Sequence, residues 1–121
     1  MSELRPLSPS GASAEALREM KAKVLSALAH PLRIAIAESL ADGERCVCDI
    51  AELAGGKRSN VSRHLALMTS AGLLRARKDG LNVYYTLTTP CALQFLECAG
   101  SVVREQGRLA AAVLEELKEN D

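Results

Sequence analysis

A pair of adjacent glycines, Gly55-Gly56, interrupts this chain between two stretches of helical periodicity, and it constrains the fold more than any other feature. Before it, residues 50–54 read as a short helix that opens just after two cysteines. After it, Val61, Leu65, Met68 and Gly72 fall on one side of a second helix at about 100° per residue. The opposite side carries Ser59, Arg63, Ala66 and Ser70, with Ser62 at the flank. Short polar residues let a helix backbone approach a groove closely, and Arg63 is long enough to reach a base edge or a phosphate. Two short helices joined by a glycine turn, the second with a polar outer face, predict a helix-turn-helix.

The next sixteen residues extend that motif. Residues 73–78 and 82–88 read as strands around Asp79-Gly80, a dipeptide suited to the positive φ of a tight hairpin turn. A hairpin beside a helix-turn-helix is the wing of a winged helix, which touches phosphates or the minor groove while the helix occupies the major groove. Arg75, Arg77 and Lys78 put charge along this hairpin, and Tyr84 and Tyr85 read as packing residues rather than base-stacking ones.

Fifteen basic and fifteen acidic residues cancel, which at first argues against nucleic acid as a partner. The sum hides an asymmetry. Residues 1–56 carry six basic and eight acidic groups, 57–80 carry six and one, and 81–121 carry three and six, so the segments stand at −2, +5 and −3. A basic patch on a neutral protein attracts phosphate without making the whole surface adhesive. An ordinary helical hairpin would not crowd Lys57, Arg58, Ser59, Ser62 and Arg63 at one helix end. These residues, with Asn60, His64, Arg75, Arg77 and Lys78, are the candidate contacts to double-stranded DNA, for which no cofactor is required.

The flanks are helical in pattern. Residues 1–13 contain Pro6, Pro9 and Gly11 without any helical period and read as a flexible arm, with Ser13 placed to cap the first helix. Residues 14–29 then recur at three- and four-residue spacing through Leu17, Met20, Val24, Leu25 and Leu28. His30-Pro31 breaks that helix and starts another, over residues 31–40. A last helix starts at Thr89-Pro90 and runs towards Lys118, with a seam of Cys91, Phe95, Cys98, Val102, Leu109, Val113 and Leu117. That seam holds more apolar surface than a small domain covers internally, so the first and last helices are expected to build a homodimer through Leu17, Val24, Phe95, Val102, Leu109 and Val113. The expected domain therefore spans residues 14–118, with 119–121 as a tail. With only Phe95, Tyr84 and Tyr85 aromatic, the core must come from aliphatic side chains on helices, giving a mainly α fold with a small β-hairpin. No apolar run approaches membrane-spanning length, and a polar N-terminus predicts a cytoplasmic protein with reduced thiols and no membrane partner.

Cys46-Val47-Cys48-Asp49 is the chain's candidate for ligand chemistry. Paired thiolates one residue apart suit soft metal ions and trivalent arsenic. Cys46 is expected at the cap of the helix preceding Gly55, with Cys48 in its first turn. Cys91 and Cys98 lie seven residues apart on one helical face, roughly 10 Å along the axis, too far to chelate one ion by themselves. They stand either as further ligands or as small apolar seam residues. His30 reads as a helix-end residue and His64 as a neighbour of the DNA-reading face, neither as a ligand.

Several motifs together resemble the ArsR/SmtB family of metal-responsive winged-helix repressors. They are Ala27-Leu28-Ala29-His30-Pro31-Leu32-Arg33, Cys46-Val47-Cys48-Asp49-Ile50, Ser62-Arg63-His64-Leu65-Ala66-Leu67, Ala71-Gly72-Leu73-Leu74, and the wing from Lys78-Asp79-Gly80 to Tyr85. The likeness covers residues 26–87 closely and is strongest to arsenic-responsive members, in which a third cysteine completes a three-sulfur site. Ala51 stands at that position here. The resemblance implies a dimeric repressor released from its operator when an inducer, As(III) or a soft divalent ion, binds Cys46 and Cys48. With Ala51 in place of the third cysteine, the missing ligand comes from elsewhere, with Cys91 and Cys98 as the candidates, or the inducer differs. Cd(II), Pb(II) or Zn(II) sensing, and thiol redox or persulfide sensing, remain alternatives on the same fold. An enzyme is not expected, since neither a phosphate-binding loop nor a Cys-X-X-Cys beside a strand is present.

Overall fold

In a computed structural model, which describes residues 11–120, five helices and three short strands are arranged in the order α1 (Gly11–Leu28), α2 (Pro31–Ser39), β1 (Arg45–Cys46), α3 (Val47–Ala54), α4 (Arg58–Ser70), β2 (Leu74–Asp79), β3 (Asn82–Leu87) and α5 (Cys91–Glu119). The chain divides after Thr88 into two compact units, the second holding α5.

Local chemistry explains the breaks in the first unit. The His30 ring caps α2: its Nδ1 accepts from the Leu32 N–H at 3.0 Å, and Pro31 occupies the first turn, where a missing N–H costs nothing. α3 ends at Gly55, whose φ of 80° is left-handed, as helix ends commonly require. Gly56 is small for a different reason. A Cβ there would meet Val61 Cγ2 at 3.0 Å and Leu32 Cδ1 at 3.2 Å, so its bareness lets α4 close onto α2.

Ile36 of α2, Ile50 of α3, and Val61, Leu65 and Met68 of α4 are completely buried and form the centre of this unit. The three α4 residues are the ones that the sequence period places inward, while Ser59, Ser62, Arg63, Ala66 and Ser70 are exposed on the same helix. α4 is therefore held from within, and its outer face is free of packing duties.

Three details differ from the sequence expectation. α1 already includes residues 11–13, which the sequence pattern assigns to the arm, so Ser13 lies inside a helix; residues 1–10 fall outside the described part. The sheet has three antiparallel strands rather than two, in the order β1-β3-β2, because Arg45 pairs with Tyr85 and Cys46 with Tyr84. The hairpin turn sits one residue later than expected. Asp79 pairs with Asn82, leaving Gly80-Leu81 as a two-residue loop in which only Gly80 has positive φ, at 65°. A glycine at the first central position is the requirement of a type II′ turn.

Truncating Leu65 to Ala should destabilise the protein by about 2–5 kcal/mol, as for other fully buried leucines. Leu67→Ala, at a position 45% exposed on the same helix, should cost much less. Urea denaturation of both variants checks the contrast.

Candidate DNA-binding face and thiol site

Lys57 occupies the N-cap of α4, and Arg58, Ser59, Ser62 and Arg63 are exposed over its first turns, so one helix end presents a continuous polar and cationic surface. Asn60 is half-buried, and its side-chain oxygen accepts a hydrogen bond from Arg63. That bond orients the guanidinium along the outer face. On the wing, Arg75 and Lys78 are exposed. A positive helix end and a positive hairpin in one unit form a surface suited to phosphate.

Two residues of the expected set are engaged by other side chains of the protein. His64 is half-buried: its ring centroid lies 4.5 Å from that of His30, and Arg33 donates to its Nδ1 at 3.1 Å. Because arginine only donates, Nδ1 accepts and the neutral ring carries its proton on Nε2. Burial first, then the charges of His30, Arg33 and Arg63, hold His64 below its ordinary pKa of 6.5.

Arg77 is the second. Its Nε and a terminal nitrogen grip the Glu44 carboxylate at 2.9 and 2.8 Å, Asp79 lies 3.6 Å away, and the guanidinium stacks 5.0 Å from the Tyr84 ring centroid. The bidentate hydrogen bond lowers the pKa of Glu44 and raises that of Arg77. The sequence pattern places Arg77 among the DNA contacts and gives no sign of Glu44, whose partner is 33 residues away and leaves no local signal.

The thiols lie where this pair converges. Cys46 is the last residue of β1 and the N-cap of α3, and Cys48 is in the first turn, as the sequence indicates. Cys46 is half-buried and Cys48 exposed. Both line a cleft of about 90 Å³ whose other walls are Val47, Arg58 at the start of α4, and Leu81, Asn82 and Val83 of the wing. The two cysteines thus share one cleft with α4 and the wing. Backbone pairing of Cys46 with Tyr84 and the Glu44–Arg77 grip tie the thiol segment to β3 and β2. Among the described residues no three His, Cys, Asp or Glu side chains gather as a metal site. Cys91 and Cys98 are exposed on α5.

The bacterial arsR family of regulatory proteins matches residues 30–76, the stretch from the α2 cap through α4 into the wing. The transcriptional regulator Rv0081 of Mycobacterium tuberculosis is 34% identical over 105 residues, covering 86% of this chain and 92% of that one. The chain belongs to the ArsR family. The arsenical resistance operon repressor of Escherichia coli K12 is 42% identical over 62 residues, covering 50% of this ArsR-family chain and 53% of that repressor. The homodimeric winged helix-turn-helix DNA-binding domain of Mb0332 from Mycobacterium bovis superposes with a TM-score of 0.68 at 30% identity, covering 83% of this chain and 93% of that domain. This ArsR-family chain is therefore a DNA-binding transcriptional regulator of winged-helix fold and not an enzyme. Among the described residues no helix is long and apolar enough to cross a membrane.

These contacts have two measurable consequences. The unfolded chain protonates His64 at higher pH than the folded one does. The stability that neutral His64 contributes is thus present above pH 6.5 and lost as pH falls through the folded value. Thermal melts across this range should show the decline, and His64→Gln should flatten it. Glu44→Gln should accelerate amide exchange at Cys46 and Tyr84 while leaving the buried face of α4 protected, as measured by hydrogen–deuterium exchange.

Proposed function

We propose that this ArsR-family regulator is a homodimeric repressor that leaves its operator when trivalent arsenic, or a related soft metal ion, is captured by Cys46 and Cys48. The observation that carries this reading is the cleft that Cys46 and Cys48 line together with Arg58 of α4 and Asn82 and Val83 of the wing. The similarity to an arsenical resistance operon repressor supports it.

In this reading residues 14–118, with the start of α1 at residues 11–13, act as one DNA-binding and dimerisation domain. The protein works in the cytoplasm with reduced cysteines. Each α4 enters a major groove, contacting DNA through Lys57, Arg58, Ser59, Asn60, Ser62 and Arg63, with Arg75 and Lys78 on the flanking backbone. His64 and Arg77 serve the interface from behind, one bracing α4 and the other the wing. Dimerisation covers the apolar face of α5, where Phe95, Val102, Leu109 and Val113 are each more than half exposed, together with Leu17 and Val24 of α1.

A ligand drawing the two sulfurs together acts on β1, and β1 is paired with the wing. Release requires only that the loaded protein bind operator more weakly, and a coupling of about 1–3 kcal/mol changes affinity about 5–150-fold. Four free thiols per chain support a second reading, in which Cys91 or Cys98 joins the pair to hold Cd(II), Pb(II) or Zn(II).

Operator binding titrated with arsenite and with each divalent ion separates these readings. Loss of the response in Cys46→Ser but not in Cys91→Ser fits the two-thiol arsenic site. Loss in both fits the larger site. Release by peroxide or persulfide alone would replace both with redox sensing, and failure of the reduced protein to shift its promoter DNA at low salt would end the repressor reading.

A further inference from the structure

Resting on the reading that α4 enters a major groove, we propose that the groove between α1, α2 and the second half of α4 seats a phosphate of the DNA backbone, with Lys23 as its direct contact. Lys23 and Ser26 of α1, Arg33 of α2, and Leu67 and Ser70 of α4 border this groove, which measures about 380 Å³. Among the described residues no carboxylate lines it.

Two cations therefore meet without an acid. Lys23 is exposed, and among the described residues neither it nor Arg33 forms an ion pair. Arg33 is half-buried: it donates to His64 Nδ1 at 3.1 Å and to the Ser26 carbonyl at 3.4 Å, while its Nε is enclosed and has no hydrogen-bond partner. An arginine stays charged at any physiological pH, and a charge withdrawn from water without a counter-ion is costly. An anion in the groove supplies what the protein itself does not.

The position of the groove selects the DNA backbone as that anion. Ser70 belongs to the outward stripe of α4 that also carries Ser59, Arg63 and Ala66, and Leu67 stands on the flank of that stripe, next to α1 and α2. A helix about 10–12 Å across fills a major groove about 12 Å wide, so residues on its flank meet the sugar-phosphate backbone rather than base edges. Lys23 and Arg33 come from residues 1–56, which carry a net −2, yet the fold brings both beside α4, whose own segment carries +5. The DNA footprint thus extends beyond the segment that charge counting marks. A phosphate contact carries no base preference, so this one sets affinity and register.

The test is binding of the full-length protein to its promoter DNA, titrated from ~50 to ~200 mM salt. Lys23→Ala should lower the slope of log K against log salt by about 0.9 for each protomer, hence about 1.8 for a dimer, and weaken binding about tenfold at ~150 mM salt. Lys23→Arg should keep both. Lys23 is exposed, so its truncation spares the core. Lys21→Ala removes the same charge from the same helix about 200° away from Lys23, off the groove, and should change the slope much less. Replacing operator phosphates one at a time by uncharged methylphosphonates should find one position in each half-site where the unaltered protein loses affinity and Lys23→Ala loses none.

Equal slopes for Lys23→Ala and the unaltered protein, or an equal fall for Lys21→Ala, would overturn the inference and leave the repressor reading standing. The same holds if no such methylphosphonate position exists and inorganic phosphate raises the melting temperature of the DNA-free protein only when Lys23 is present, since the groove then takes a free anion. If the unaltered protein shifts no promoter DNA at low salt, both fall.

Discussion

Ile36, Ile50, Val61, Leu65 and Met68 exclude water completely where α2, α3 and α4 meet, and the direction in which every functional side chain points depends on that contact. The hydrophobic effect has no directional preference of its own, but a helix with one apolar stripe has a single way to satisfy it. Once Val61, Leu65 and Met68 turn inward, Ser59, Ser62 and Arg63 must face solvent. The same contact seats α3 on α4, which brings the sulfurs at the start of one helix beside Arg58 at the start of the other. The placement of α4 and of the thiol segment therefore depends on one small cluster.

Charge plays two roles in this regulator. The +5 segment from residue 57 to residue 80 reads in one dimension as a phosphate-binding surface. In three dimensions Arg77 is gripped by Glu44 and stacked on Tyr84, so it holds the wing to the segment before the thiols. His64 likewise turns from the DNA face to meet Arg33 and His30. The exposed polar and cationic residues outside these contacts are Lys57, Arg58, Ser59, Ser62 and Arg63 on α4, with Arg75 and Lys78 on the wing. If the thiols hold the inducer as proposed, a site tied to the wing by an ion pair and a strand pairing can act on DNA affinity without unfolding any helix.

Much of this is legible in the chain. The inward face of α4, the glycine breaks, the helix boundary at His30-Pro31 and the thiol pair at the start of α3 are local patterns, set by residues within a turn or two of one another. The Gly80-Leu81 loop reads one residue early because Asp-Gly and Gly-Leu both satisfy a tight turn, and only strand register chooses between them. β1 escapes sequence reading because two residues have no periodicity to detect. Its existence depends on Tyr84 and Tyr85, about forty positions further along the chain.

The sequence by itself determined the helix-turn-helix, the wing and the presence of two closely spaced thiols, because helical period, glycine conformation and turn chemistry are short-range properties of the backbone. Tertiary structure alone decided that Arg77 grips Glu44, that His64 is half-buried against Arg33 and His30, and that Cys46 and Cys48 share a cleft with the wing. Those outcomes rest on hydrogen bonds and burial between distant residues, whose strength depends on distances that no linear spacing encodes.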